Sequence, residues 1–397
     1  MDKWLLIGLL VGIGLGPLAR FNVAGQNLLL LDVIVGVTVV VALAAALYQK
    51  TFRWPPKGLM LAWGILMSIF ALSWLVAAPS LGSASWPALL FLIRFVVYGT
   101  LLIALYPHLS SGRSPLYLRL WLTMFVAVAA GGWLQLGLTP DLRIYEYLGW
   151  DPHQGRLVST WLDPNLVGIF LSSGVGLALL AVPLAATRRD RVVTWLVVGF
   201  LIVSVLATLS RSAFIALLII LAVIGWYRYR RVLWLGLGLI ILAGVAIPGL
   251  RDRLTGAWQL DTTVRYRLES WSEGWQLFTA HPWLGVGYNA IPVARYAAAS
   301  PGVEVLSDRA SSGFDSSLLT IAVAAGGAGL LAWLWWVAAV LRLAWRGWSH
   351  HQMVFGSALA SVTLALLGAS WFVNAWLAAP MLATWWLMIG LCLNEHD

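Results

Sequence analysis

Charge is what this chain most conspicuously lacks. Of its 397 residues only 10% are Asp, Glu, Lys or Arg, and 61% are hydrophobic, whereas soluble domains carry about 25% charged residues. That balance excludes an ordinary soluble domain. Cysteine is nearly absent too. Cys392 stands alone, which rules out an internal disulfide and any multi-cysteine metal site. The histidines (His108, His153, His281, His350, His351 and His396) show no HExxH or comparable ligand spacing. No basic stripe is interleaved with aromatics on a polar face, so the net charge of +9 is not a nucleic-acid footprint. There is no internal repeat, and no paired set of short, Gly/Pro-broken spans of the kind many secondary transporters carry. Gly285-Val-Gly287 lacks the preceding strand and the third glycine of a dinucleotide fingerprint.

What remains is a succession of apolar runs, each long enough to cross a hydrocarbon layer of ~30 Å. The pattern predicts an all-α polytopic membrane protein, a single membrane domain over 1–397 with about twelve spans: 4–19, 27–48, 58–78, 87–107, 116–138, 165–186, 192–208, 212–227, 232–249, 316–341, 353–372 and 374–393. A β-barrel would show shorter alternating segments. The 25 Trp and 11 Tyr suit interfacial aromatic belts. Gly8, Gly12 and Gly16 form a small-xxx-small stripe in the first run, suited to close helix packing; the alternative is that they are merely tolerated there.

Basic residues set the expected orientation. Lys3, Lys50, Arg53, Lys57, Arg113, Arg119, Arg188, Arg189, Arg191, Arg228, Arg230, Arg231, Arg342 and Arg346 all fall on one side of the predicted bundle. The short loops of the other side carry only Arg20, Arg143, Arg156 and Arg211. The positive-inside rule then puts both termini in the cytoplasm. Two segments on the outer side break the rhythm of short loops: 139–164, and a large extracytoplasmic loop over 250–315. The latter balances six arginines against six acids up to Phe314, and Arg267–Ala280 reads as an amphipathic helix with Leu268, Trp271, Trp275 and Phe278 on one face, stopped by His281-Pro282. A helix lying on the outer membrane surface is the expected form.

The stretch Thr208-Leu-Ser-Arg-Ser-Ala-Phe214 puts Arg211 in a turn of about three residues between two apolar runs. A guanidinium at such a boundary either snorkels to headgroups or meets an anion such as a phosphate. Arg265 and Arg267 either pair with Glu269 or Glu273 along their own helix or face a ligand. Asp315 is either an N-cap for the tenth span or a carboxylate free to act on a hydroxyl. Asp163-Pro164-Asn165 carries ordinary helix-start signals, and the other reading sets Asn165 and Arg156 beside a cavity. Asp32 and Arg94 are the ionisable groups deepest in apolar runs; they pair, or Arg94 meets a lipid phosphate.

Four stretches in order resemble the O-antigen ligase and polymerase superfamily, membrane glycosyltransferases that move glycans off undecaprenyl diphosphate. They are Gly155-Arg-Leu-Val-Ser-Thr-Trp-Leu-Asp-Pro-Asn165, Leu209-Ser-Arg-Ser212, Arg267-Leu-Glu-Ser-Trp271 running to Pro282-Trp-Leu-Gly-Val-Gly287, and Phe314-Asp-Ser-Ser-Leu-Leu319 leading to Gly326 and Gly329. They span roughly 155–330, and the large outer loop falls where that family has one. The resemblance implies a class-C-like membrane fold in the plasma (inner) membrane with its active site on the extracytoplasmic side. It implies a metal-independent, cofactor-free, inverting transfer from a polyprenyl-diphosphate-linked glycan to a sugar hydroxyl, as part of cell-surface polysaccharide synthesis. Carried over by position, Arg211 and Arg267 would hold the diphosphate, with Arg265 as the substitute for Arg267. Asp315 would steer the acceptor, while Arg156, Asn165 and Ser210 would bind substrate. Ligase-type members often have histidine where Asp315 stands, and polymerase-type members frequently have Asp, so polymerase is expected over ligase. A flippase for lipid-linked oligosaccharide is the competing expectation. It should line a central cavity with charges from many spans, and mid-span charges here are few.

Overall fold

The computed structural model describes residues 3–231 (apart from 24–25, 110 and 149), 262–298, 313–349 and 354–396, with isolated residues 234, 236, 238, 242 and 251. Apart from those isolated positions, the expected ninth span lies outside the described residues, as do Arg253, Arg309, Asp252, Asp261, Glu304 and Asp308.

The described helices are α1 (Lys3–Leu15), α2 (Leu30–Tyr48), α3 (Lys57–Leu81), α4 (Ser85–Leu105), α5 (Ser114–Leu138), α6 (Pro164–Ala181), α7 (Arg188–Ala207), α8 (Arg211–Arg228), α9 (Thr262–Ala280), α10 (Ile291–Ala298), α11 (Ser317–Ser349), α12 (Val354–Ala369) and α13 (Ala379–His396). Among the described residues, six continuous helical stretches are long and apolar enough to cross a membrane, accompanied by four shorter apolar helices. One of the six, Lys57–His108, doubles back at Gly82 (φ 54°), so that α3 packs against α4 and Trp74 Nε1 donates to the Ser85 carbonyl at 3.1 Å. Among the described residues, the extended elements are a two-stranded antiparallel hairpin, Arg20–Val23 with Gln26–Leu29, where the sequence predicts a loop and the start of the second span, and an isolated bridge between Asp141 and Gln154.

Helix ends alternate between two faces. At one face, Trp161 Nε1 donates to the Ile13 carbonyl (3.1 Å), Leu157 N–H to the Ala207 carbonyl (3.0 Å) and Arg20 Nη2 to the Leu148 carbonyl (2.5 Å). These bonds gather the end of α1, the end of α7 and the 139–163 segment. At the opposite face, the Arg53 guanidinium lies 4.5 Å from the Tyr106 ring centroid, and the Tyr229 hydroxyl reaches the Leu179 carbonyl at 3.2 Å.

The core is organised around α6, which is buried along nearly all its length against α5, α7, α8 and α12. Its serines are compatible with that burial because each bonds back one turn, Ser172 to the Gly168 carbonyl and Ser173 to the Ile169 carbonyl. Edge-on tryptophan pairs fasten α11 to α13 (Trp336–Trp385 at 4.4 Å) and to the loop before it (Trp333–Trp376 at 4.7 Å). The glycine stripe of α1 serves packing: a Cβ on Gly12 would lie 3.0 Å from Ile34 of α2, and one on Gly16 3.0 Å from Trp161.

Asp32 and Arg94 do pair. Arg94 Nε and Nη2 donate to the two Asp32 oxygens at 2.7 and 2.8 Å, and the Tyr98 hydroxyl adds a third bond at 2.7 Å. Asp32 also accepts from the Leu29 N–H at the start of α2. A charge this deep is tolerable because every lone pair direction of the carboxylate is used.

Candidate active site

The first two motifs form one unit. α7 ends at Ala207 and α8 begins at Arg211, with Ser210 as N-cap accepting from the Ala213 N–H at 3.3 Å. The Ser210 hydroxyl donates to Asn165 Oδ1 at 2.8 Å, so Ser212 donates to Ser210 across 3.0 Å. Asn165 is held in turn by the start of α6, where Asp163 caps the N–H groups of Asn165 (2.6 Å) and Leu166 (3.1 Å). Burial pushes the Asp163 carboxyl up from its ordinary range, against the pull of those two N–H groups. Arg156 Nε and Nη2 donate to the Thr208 and Leu209 carbonyls, at 2.9 and 3.4 Å, satisfying the open C-terminus of α7. Arg156, Asn165 and Ser210, expected beside one another, thus converge on the turn that presents Arg211, and Leu209 takes a positive φ of 50° to make that turn. Arg211 occupies the first position of α8, where unsatisfied N–H groups and the helix dipole both favour an anion.

The last two motifs form a second unit, and here the sequence hid a feature. α11 is broken at Gly326, with φ 68° and ψ −171°, a conformation essentially reserved for glycine. The break frees backbone groups that the Pro282–Gly287 loop then takes up. Val286 N–H donates to the Val323 carbonyl (2.9 Å), Gly287 N–H to Ala324 (3.1 Å), Gly327 N–H to Pro282 (2.8 Å) and Ala328 N–H to Trp283 (3.3 Å). Ser73 Oγ of α3 adds a bond to the Ala324 carbonyl at 2.7 Å. The approach is so close that a Cβ on Gly326 would sit 2.2 Å from the Trp283 carbonyl carbon, and one on Gly285 2.4 Å from the Val323 oxygen.

α9 leads into this lock and ends at Ala280, as the His281-Pro282 signal predicts, but it begins at Thr262, five residues before the expected start. Its inward contacts are Gly274 against Leu319, Leu277 and Phe278 in a cluster with Ile291 and Phe314, and Trp271 beside Trp371 (6.1 Å) and Phe372 (6.4 Å). Leu268 and Trp275, expected on the same face, remain largely exposed, since the face buried by the protein is rotated toward Gly274. Arg267 is half-buried and Arg265 exposed. Of the two carboxylates on that helix, Glu273 is also bonded by Arg295 of α10.

Asp315 is not the cap of α11. Ser316 has that role, accepting from the Leu319 N–H at 3.2 Å while donating to the Ser370 carbonyl at 2.9 Å. A hydroxyl one residue nearer the helix reaches the third N–H with less backbone distortion, and its second bond ties the cap to the turn after α12. Ser317 repeats the tie, its N–H on Ser370 (3.0 Å) and its Oγ accepting from the Trp376 N–H (3.1 Å). Asp315, between Phe314 and Ser316 which are both buried, is left exposed.

The two units are connected through α12 and the 370–376 turn that follows it. α8 packs along α12, with Ile215 and Ile219 against Gly368, so the end of α8 carrying Arg211 lies toward the end of α12 that leads into Ser370. Ser316 and Ser317 bond that same turn, and Trp271, one turn beyond Arg267, stacks beside it. Arg295 was passed over in sequence among the loop's balanced charges. Its partners lie 22 and 18 residues away, beyond any helical spacing rule.

No curated protein matches the chain. The family model described as O-Antigen ligase, Wzy_C, matches residues 196–334, a stretch that runs from the middle of α7 through Arg211, α9 and Asp315 to the Gly326 break. Over residues 196–334 the chain is similar to the O-antigen ligase domain, a match that supports the O-antigen ligase/polymerase superfamily, and its long apolar helices suit a multi-pass membrane protein.

Proposed function

We propose that the protein transfers a glycan from a polyprenyl diphosphate carrier to a sugar hydroxyl at the extracytoplasmic face of the plasma membrane, acting as a polymerase rather than a ligase. The observation that carries this reading is the common address of its motifs. Arg267 and Asp315 stand on elements that bear on the 370–376 turn, and Arg211 stands at the start of α8, which packs along α12 as far as Gly368, just before that turn. The 139–163 segment and α9 lie toward this face, while Lys50, Arg53, Arg113 and Arg188 belong to the connections of the other, an arrangement that under the positive-inside rule supports a site outside the cell.

In the reaction, the acceptor hydroxyl oxygen attacks the anomeric carbon from the side opposite the carrier, with inversion. The bond from that carbon to the diphosphate oxygen breaks, and the carrier leaves with the electron pair. Charge grows on the departing diphosphate. Arg211, aided by the N-terminus of α8, and Arg267 neutralise it, with Arg265 as reserve; a planar guanidinium does this better than ammonium because it donates two parallel bonds. No metal is needed for that charge compensation. Asp315 orients the acceptor hydroxyl and receives its proton. Arg156, Asn165 and Ser210 hold the turn and the sugar side of the site.

The test is purified protein in detergent with lipid-linked oligosaccharide. Wild type lengthens the glycan with no second compartment present. Arg211→Ala, Arg211→Lys and Arg267→Ala abolish product while remaining membrane-inserted and monodisperse. Full product from the Arg211 variants refutes the assignment, and wild-type protein that leaves the glycan unaltered while moving it across vesicles would establish a flippase.

A further inference from the structure

Arg295, outside the motifs, uses its whole guanidinium. Nε and Nη2 both donate to the Glu273 carboxylate of α9, Nε at 2.6 Å. Nη1 donates to the Gly313 carbonyl at 3.3 Å, and the guanidinium carbon lies 4.9 Å from the centroid of the Phe314 ring. The side chain is only 15% exposed. Glu273 sits between one and two turns beyond Arg267 on α9, and Gly313 and Phe314 immediately precede Asp315. One planar cation therefore joins the helix of the diphosphate-binding arginine to the segment of the acceptor-side carboxylate.

We propose that Arg295 is a positioning residue, fixing the distance between Arg267 and Asp315 by bridging Glu273 and the Gly313–Phe314 backbone. The inference rests on the transferase reading above. Only arginine can perform the task. A bidentate fork on the carboxylate, a third donor on the carbonyl and a flat face on the ring are four constraints, and an ammonium meets one or two of them. Asp315 follows a tightly held residue, since Phe314 N–H donates to Thr320 Oγ1 at 3.2 Å and that hydroxyl returns a bond to the Phe314 carbonyl. Loosening the Arg295 tether releases the one side of Phe314 that these bonds do not hold. A misplacement of about 1 Å at a reacting group costs on the order of 100-fold in rate without a matching loss of binding.

The experiment uses full-length protein with radiolabelled polyprenyl-diphosphate-linked oligosaccharide extracted from the source cells. Arg295→Lys and Glu273→Gln should each lower kcat by 10- to 100-fold with KM for the donor within about threefold. The double variant should be no worse than the poorer single, because both remove one link. Arg267→Ala serves as the contrast and should leave no measurable product. Independently of activity, hydrogen exchange of the peptide over 313–320 should quicken at least tenfold in Arg295→Lys. Kinetics equal to wild type in Arg295→Lys, or additive losses in the double variant, would overturn the positioning role. Should Arg211→Ala keep full activity while exchange quickens in Arg295→Lys, the transferase reading falls and the tether itself stands. Unchanged exchange removes the tether whatever the kinetics show, and Glu273→Gln supplies the same readings if Arg295→Lys does not fold.

Discussion

Replacing Gly326 by alanine isolates the physical claim on which the placement of α9 depends. The new Cβ would meet the Trp283 carbonyl carbon and oxygen at 2.2 Å and the Leu284 nitrogen at 2.5 Å. These are backbone atoms, so no side chain can swing aside. An L-residue at φ 68°, ψ −171° costs ~1–3 kcal/mol before any contact is considered. Relieving the clash costs another ~1–3 kcal/mol as overpacking. If the loop instead withdraws, the bonds from Val286, Gly287, Gly327 and Ala328 are lost together, at ~1 kcal/mol each and more where a buried group is left unmatched. Either route gives a destabilisation of about 2–6 kcal/mol, a large part of the stability of an ordinary domain. The assay is thermal inactivation of purified protein in detergent, scored beside Gly64→Ala and Gly199→Ala, whose Cβ atoms meet nothing within 4 Å and which should be neutral or stabilising by roughly 0.5–1 kcal/mol. Gly327→Ala, with its nearest contact at 3.3 Å, should fall between. Because α9 enters the lock directly, glycan transfer should be lost in Gly326→Ala along with stability. Wild-type inactivation and full transfer in that variant would refute the account of the helix break.

Other perturbations probe other parts. Arg94→Ala strands a buried carboxylate and should cost ~3–5 kcal/mol, while Asp32→Asn combined with Arg94→Gln should recover most of that in the same thermal assay. Asp163→Asn keeps an N-cap acceptor but removes the carboxylate. Since burial raises the folded-state pKa of Asp163 above its unfolded value, the wild type loses stability as pH rises through that window. The advantage of Asp163→Asn should therefore grow from acid toward neutral pH in melting curves, and an advantage confined to acid would contradict it. Ser210→Ala removes the cap of α8 and the bond to Asn165, and should cost ~0.5–2 kcal/mol with a marked fall in glycan transfer, read by product electrophoresis.

Much of the architecture was legible in local signals. The three-residue turn before Arg211, the stop at His281-Pro282 and the Asp163 cap each rest on bonds between residues two to four apart. Serine at 316 instead of Asp315 as the cap was a near miss within the same local range. It was decided by the Ser370 carbonyl, 54 residues away, which accepts the serine's hydrogen bond.

The sequence by itself determined that this is a helical membrane protein, where most of its helices begin and end, and which arginines stand at the motif face. Hydrophobicity and capping act over one or two turns and are written in consecutive residues. Only the tertiary structure decided that α11 breaks at Gly326 to receive the Pro282–Gly287 loop, that Asp32 takes Arg94 (62 residues on) and that Glu273 takes Arg295 from another helix. Those outcomes depend on which buried polar groups arrive unpaired at the same place once the helices have packed, and no window of the sequence contains both partners.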